Sequence, residues 1–345
     1  MLRTVLLWIT VGCCAPAWAA PADQPFEAYA RFVRGIYAQW YLPGADDFAA
    51  QSRALVGPLQ QLCTADAATE PEALTRAQQQ WLRTVSAWER FSAVRGGALL
   101  ARRSPRSLDF MPTRPEAIAE AVRTVAPDAT TLESTTAPAK GLPALEWLLW
   151  PGKLRAHTPA CHYAEQLASD ILAEALALQT AYAAALQAGW DDQEAEYAMY
   201  EFLNLWNGAL QKLWREDIDR TLQKLNAGRF ATFNRNASDH AAQAWAIHWQ
   251  AVRSLAIGSA SGADVPSVHA YLLAQNHAPQ AELLLQAVAH VDQAMDRLLA
   301  SRAPTAASVP LHQLITALKA LQHCTEKDLG PALQFTISFF DEDGD

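Results

Sequence analysis

Glycine is scarce in this sequence, 15 residues in 345, and methionine scarcer still at four. The five cysteines form no Cys-x-x-Cys and no Cys-x-x-Cys-His, which removes the usual grounds for thiol redox catalysis and for attaching a c-type haem. There is no Gly-x-Ser-x-Gly nucleophile elbow, no glycine loop able to cradle phosphates and no His-Glu-x-x-His zinc motif. Positive charge is also short: 27 lysines and arginines face 36 aspartates and glutamates, and the net charge of −9 repels a phosphate backbone, so a nucleic-acid partner is not expected. Beyond the first twenty residues no stretch approaches the ~20 apolar residues that span a bilayer, so no transmembrane segment is expected in the mature chain.

Those first residues read as a secretory leader. Arg3 supplies the positive end, Val5–Val11 the apolar middle and Ala17-Trp-Ala19 a small-x-small cleavage site, so residues 1–20 are expected to be removed and the mature protein to be periplasmic. Thr10-Val-Gly-Cys13 is a degenerate lipoprotein box with threonine where a large aliphatic is preferred, which favours cleavage over a lipid anchor. Loss of the leader removes Cys13 and Cys14 and leaves Cys63, Cys161 and Cys324, enough for one intramolecular disulfide.

What is abundant is alanine, leucine and glutamine, with apolar residues recurring every three to four positions over long windows. That is the pattern of an all-α protein. Helices are expected over Phe26–Trp40, Glu72–Arg103 with Trp81 and Trp88 one heptad apart, Ala164–Leu186, Glu194–Asn226, Ser238–Ile257, Val265–Leu273, Pro279–Ala300 and Val309–His323. Breaker-rich stretches separate them, among them Ser104–Pro115, Ala126–Pro143 and Ala188–Asp192. The predicted division is two antiparallel helical bundles, 21–190 and 191–345, with little or no sheet; only Phe335, Ile337 and Phe339 alternate like a strand. The acidic end, Asp341–Asp345, is too short for a calcium loop.

The most informative stretch runs Lys140-Gly-Leu-Pro-Ala-Leu-Glu-Trp-Leu-Leu-Trp150. Glycine then proline before Glu146 reads as a helix entry that carries one carboxylate into apolar, aromatic surroundings, where it must find a partner. The surrounding insert is locally positive: between Arg95 and Arg155 nine lysines and arginines face six acids. Arginine forks suit carboxylate and phosphate groups. One reading therefore gathers Arg103, Arg106 and Arg114 beside Asp109, Glu146 and Trp147 in a cleft for a small anionic ligand. The competing reading pairs Asp109 and Glu146 with these arginines merely to pin a long loop. Glu201 and Asn204 share a helix face and are expected to be exposed, the His162/Glu165 and His323/Glu326 pairs occur at a frequency near chance, and Trp147, Trp150, Trp245 and Trp249 read as core rather than as a ligand wall.

The Gly141-Leu-Pro143-Ala-Leu-Glu146 segment resembles the signature of the imelysin-like family, which typically carries Gly-x-His-x-x-Glu there. Trp81-x6-Trp88, Arg106–Pro115, Phe233-Asn-Arg-Asn-Ala-Ser-Asp239 and the end from Leu329 are similar to blocks of a proline-bearing branch of that family, so the resemblance covers nearly the whole mature chain. It implies an exported fold of two helical bundles, a link to iron or haem uptake, iron or another divalent metal as possible cofactor, and pairing of Cys63 with Cys161. The family is in part classed as metallopeptidase. Pro143 supplies no lone pair where the family has its histidine, which leaves Glu146 as a weak metal candidate and no catalytic residue; the expectation is a binding protein for a small anionic or iron-containing ligand. A metal-dependent peptidase with a rebuilt site, and a structural module that docks an envelope protein, are the alternatives.

Overall fold

The computed structural model describes residues 25–125, 132, 134–150, 154–259, 265–301 and 308–333. The leader, the Phe335–Phe339 alternation and the acidic end lie outside them. Among the described residues every regular element is helical and no strand occurs.

The first helix is longer than the expected Phe26–Trp40. Pro25–Ile36 runs through a π-wound turn, Tyr37–Tyr41, directly into Leu42–Cys63. Pro43 would interrupt a regular helix, because a proline ring meets the carbonyl four residues back. Here the wide turn comes just before it, with the Leu42 amide bonded to the Tyr37 carbonyl, and the chain continues. Beyond it, Ala45, Phe48, Ser52, Leu55, Leu59 and Leu62 recur at helical spacing and are buried against helices Glu70–Phe91 and Pro159–Ala188. Trp81, Trp88 and Phe48 fill this first core.

The expected Glu72–Arg103 helix ends at Phe91; the chain turns at Gly96–Gly97 and enters two short helices, Ala98–Ala101 and Ser104–Leu108. A further helix at Pro115–Thr124, unforeseen in the sequence, precedes the Gly141–Leu149 helix that carries Glu146. Gly141 has φ 78°, and a β-carbon there would lie 2.4 Å from the Leu108 carbonyl oxygen, so the backbones of the two segments approach as only glycine permits. Cys63 and Cys161 form a disulfide that joins the end of Leu42–Cys63 to the start of Pro159–Ala188. That 30-residue helix is the one described helix long and apolar enough to cross a membrane by length and composition; in the fold it packs on Leu42–Cys63 and Gly141–Leu149.

Gly189, at φ 72°, stops the long helix, and a capping box restarts the chain: Asp191 accepts from the Glu194 amide while the Glu194 carboxylate accepts from the Asp191 amide. Asp192–Gln211 then continues through a second π-wound stretch, Lys212–Asp219, into Arg220–Asn226. Helices Ala241–Ile257, Val268–Ala274, Ala278–Ala300 and Val309–Cys324 complete the second half around Trp206 and Trp249. Helix packing joins the halves where Pro25–Ile36 lies on Asp192–Gln211 and where Ala241–Ile257 lies on Glu70–Phe91.

Candidate functional site

Where Glu70–Phe91 meets the second half, an irregular segment, residues 230–240, delivers one side chain into the first. Arg235 has φ 61° and is 2% exposed. Its Nε and Nη2 donate to Glu89 Oε1 at 3.0 and 2.9 Å, and Nη2 also donates to Asp109 Oδ1 at 2.6 Å. Trp88 Nε1 donates to the other Asp109 oxygen at 3.0 Å, and the Trp81 ring lies 6.0 Å from the guanidinium carbon. Three residues further on, Ser238 donates to Glu146 Oε1 from both its amide, 3.0 Å, and its hydroxyl, 2.7 Å. Glu146 is 3% exposed. Glu146 thus meets the partner that burial demands, and the partner comes from the opposite half of the chain.

The electrostatics divide the two arginine-bound acids. Burial alone would raise the Asp109 carboxyl, yet the Arg235 charge and the Trp88 hydrogen bond hold it below the ordinary aspartate value. Glu89 is raised, by burial first and by the adjacent Asp109 charge, against the pull of Arg235. Asp109 is therefore the ionised member, and Glu89 is the first to accept a proton. Burial opposes the charge of Arg235, but Asp109, Glu89 and Glu146 together push its pKa up, so it stays a cation.

Further charges lie around this core. Lys212 and Asp217 bond at 2.7 Å with a five-residue spacing that the π-wound stretch brings onto one side. His248 is buried, and burial with the nearby Lys212 and Arg95 charges drives its pKa well down, so its ring is neutral. It bonds to the Ala209 backbone, while its Nε2, Asn207 Oδ1 and Arg235 Nη1 are buried with no hydrogen-bond partner among the described residues.

Arg103, Arg106 and Arg114 are all exposed, and Trp147 is half-buried. Asp109 and Glu146 are brought to the junction, but they take Arg235 and Ser238 rather than arginines of the 103–114 segment. The cause is geometric: Asp109 follows the short helix Ser104–Leu108 and turns inward against Trp88, whereas Arg103, in left-handed conformation, and Arg106 stay on the outer side. Sequence reasoning missed Arg235, Glu89, Lys212 and His248. A signal existed in the Phe233–Asp239 block, whose arginine and serine stand three apart.

The other expectations resolve simply. Trp245 and Trp249 are core, with Trp249 Nε1 on Asp292 at 2.9 Å. His162 and Glu165 make a 3.5 Å surface pair, and Glu326 accepts from Gln322. Glu201 is half-buried rather than exposed. The Gly141–Glu146 turn offers a divalent metal little: the buried Pro143 side chain has no donor atom, Glu146 Oε1 already takes two hydrogen bonds, and no group of three or more histidine, cysteine or acidic side chains suited to a metal occurs among the described residues.

The Imelysin peptidase family model matches residues 41–326. The chain belongs to the imelysin family. No curated protein matches it, but solved structures do. An imelysin-like protein from Psychrobacter arcticum 273-4 superposes with a TM-score of 0.74 at 17% identity, over 93% of this chain and 100% of that one. An iron-regulated protein A precursor, so named, from Parabacteroides distasonis ATCC 8503 gives 0.73 at 16% identity, over 92% and 97%. At such identities these likenesses establish the imelysin fold of this chain.

Proposed function

We propose that this imelysin is an exported, periplasmic binding protein that captures a small anionic, iron-containing ligand for iron or haem acquisition and performs no metal-dependent cleavage. The observation that carries the reading is the state of Glu146, a signature carboxylate with proline in place of its histidine and with two Ser238 donors on one oxygen. Such a carboxylate ties two halves together; it does not offer a metal the several ligands that a zinc peptidase uses to polarise water. The family and a structural neighbour named iron-regulated protein A support the iron link, and the Ala17-Trp-Ala19 leader supports export. Arg103, Arg106 and Arg114 are exposed on the segment that Asp109 anchors, and their guanidinium groups suit the carboxylates of a ferric chelate.

Calorimetric titration with ferric citrate tests this. Saturable binding that weakens at least about tenfold in Arg106→Ala/Arg114→Ala, with unchanged melting temperature, is expected from two lost charge-assisted contacts. No binding by the wild-type protein, or equal binding by the variant, overturns the ligand site. Stoichiometric zinc in purified protein together with chelator-blocked proteolysis replaces the reading with a metallopeptidase. Loss of an envelope partner, with ligand binding intact, on deletion of Ser104–Pro115 replaces it with a docking module.

A further inference from the structure

A second site lies away from Arg235, where the first π-wound turn meets helix Asp192–Gln211. Its wide winding sets Tyr37 and Tyr41 close to one side, with ring centroids 5.3 Å apart. Tyr41 stacks on Tyr182 at 5.0 Å. The Gly96–Gly97 turn is clamped between these rings: the Gly96 amide donates to the Tyr41 hydroxyl at 3.2 Å, and the Tyr182 hydroxyl donates to the Gly96 carbonyl at 2.7 Å. A β-carbon at Gly96 would meet the Tyr41 hydroxyl at 2.4 Å, and one at Gly97, φ 54°, the Tyr37 hydroxyl at 2.5 Å, so glycine is required at both.

Tyr37, Tyr41, Gly96 and Gly97 line a cavity of about 10 Å³ with Glu201, Phe202 and Leu205 on its other wall. That is the room taken by one water or one ammonium group. Glu201 is the only charged residue lining it. It has no hydrogen bond or ion pair among the described residues, and its burial raises its pKa with no cation to offset it. Tyr37 and Tyr41 line the same cavity as Glu201, and the carboxylate charge adds to the burial that raises both phenols.

We propose that this cavity binds the ammonium head of a primary amine, with Glu201 as its counter-charge and the hydroxyl and ring of Tyr37 as a second contact. One carboxylate and a few phenols do not make the six to eight oxygens of a calcium site or the octahedron of magnesium. They do match an ammonium, which donates hydrogen bonds to a carboxylate and a phenol oxygen and gains from aromatic faces. Glu201 is only partly buried, so the head can enter from solvent while a tail stays outside. This site shares no residue with the ferric-chelate reading, and either can fail alone.

The test is a melting-temperature titration with methylammonium chloride, with tetramethylammonium and potassium chlorides at equal ionic strength as comparisons, on the wild-type chain, Glu201→Gln and Tyr37→Phe. A saturable rise with methylammonium alone is expected, abolished in Glu201→Gln and weakened in Tyr37→Phe, with circular dichroism confirming both variants folded. Should Glu201→Gln not fold, Tyr37→Phe carries the test through its weaker midpoint. No saturable rise in the wild type, equal rises with all three salts, or an undiminished response in the folded variants overturns the proposal. A saturable rise with potassium alone also overturns it, in favour of an alkali-cation site.

Discussion

Arg235 Nη2 lies 2.6 Å from Asp109 Oδ1 across 126 residues of chain, and the same nitrogen lies 2.9 Å from Glu89. One guanidinium thus holds two acids of the first half from the second. Arg235→Met removes the cation and leaves the acids buried together, which is expected to cost about 3–5 kcal/mol in denaturant unfolding. Adding Glu89→Gln and Asp109→Asn to that variant is expected to recover part of the loss. A single-variant loss below about 1 kcal/mol contradicts the assignment.

Two glycines give opposite expectations. At Gly141 any β-carbon meets the Leu108 carbonyl and φ is positive, so Gly141→Ala is expected to lower the melting temperature markedly. Gly208 lies exposed within helix Asp192–Gln211 with nothing within 4 Å of a β-carbon, so Gly208→Ala is expected to stabilise by about 0.5–1 kcal/mol. Melting curves of both variants check the contrast.

The Cys63–Cys161 disulfide closes a loop with a sequence separation of 98. Chain entropy puts its contribution at about 4–5 kcal/mol. Cys63→Ser/Cys161→Ser is expected to lose most of that in urea unfolding, and free thiol titration of the denatured mature protein is expected to find Cys324 alone.

His248 is buried neutral, with its pKa pushed well below the ordinary value, while an unfolded chain titrates near 6.5. Below that value the unfolded state binds a proton that the folded state refuses, so stability falls as pH drops, by up to about 1.4 kcal/mol per unit for this group. His240, lowered by burial and by Arg235, adds to the same slope. His248→Asn is expected to be less stable at pH 7.5 but to lose less between pH 6.5 and 5. Parallel curves for the two proteins refute the assignment.

The fold class was legible in the sequence because helical spacing is local: Leu167, Ile171, Leu178 and Tyr182 lie on one face and are buried as expected. Leu42–Cys63 was not, because a proline and a glycine at its start mask a π-wound turn whose five-residue bonding a 3.6-residue period does not register. At the site, Glu146 and Asp109 were legible as acids needing partners. Their partners were not, since Arg235 and Ser238 sit in an irregular segment about 90 or more residues away, and no periodicity links them.

The crossing of Pro25–Ile36 onto Asp192–Gln211 has a consequence for anyone who would divide this protein. Severed between 190 and 191, the trailing piece would forfeit Phe32, whose ring packs edge-on against Phe202 at 5.3 Å, while the leading piece would carry an apolar stripe with nothing to cover it. Neither fragment is expected to be self-sufficient, and a single cooperative unfolding transition is the expected behaviour of the intact molecule.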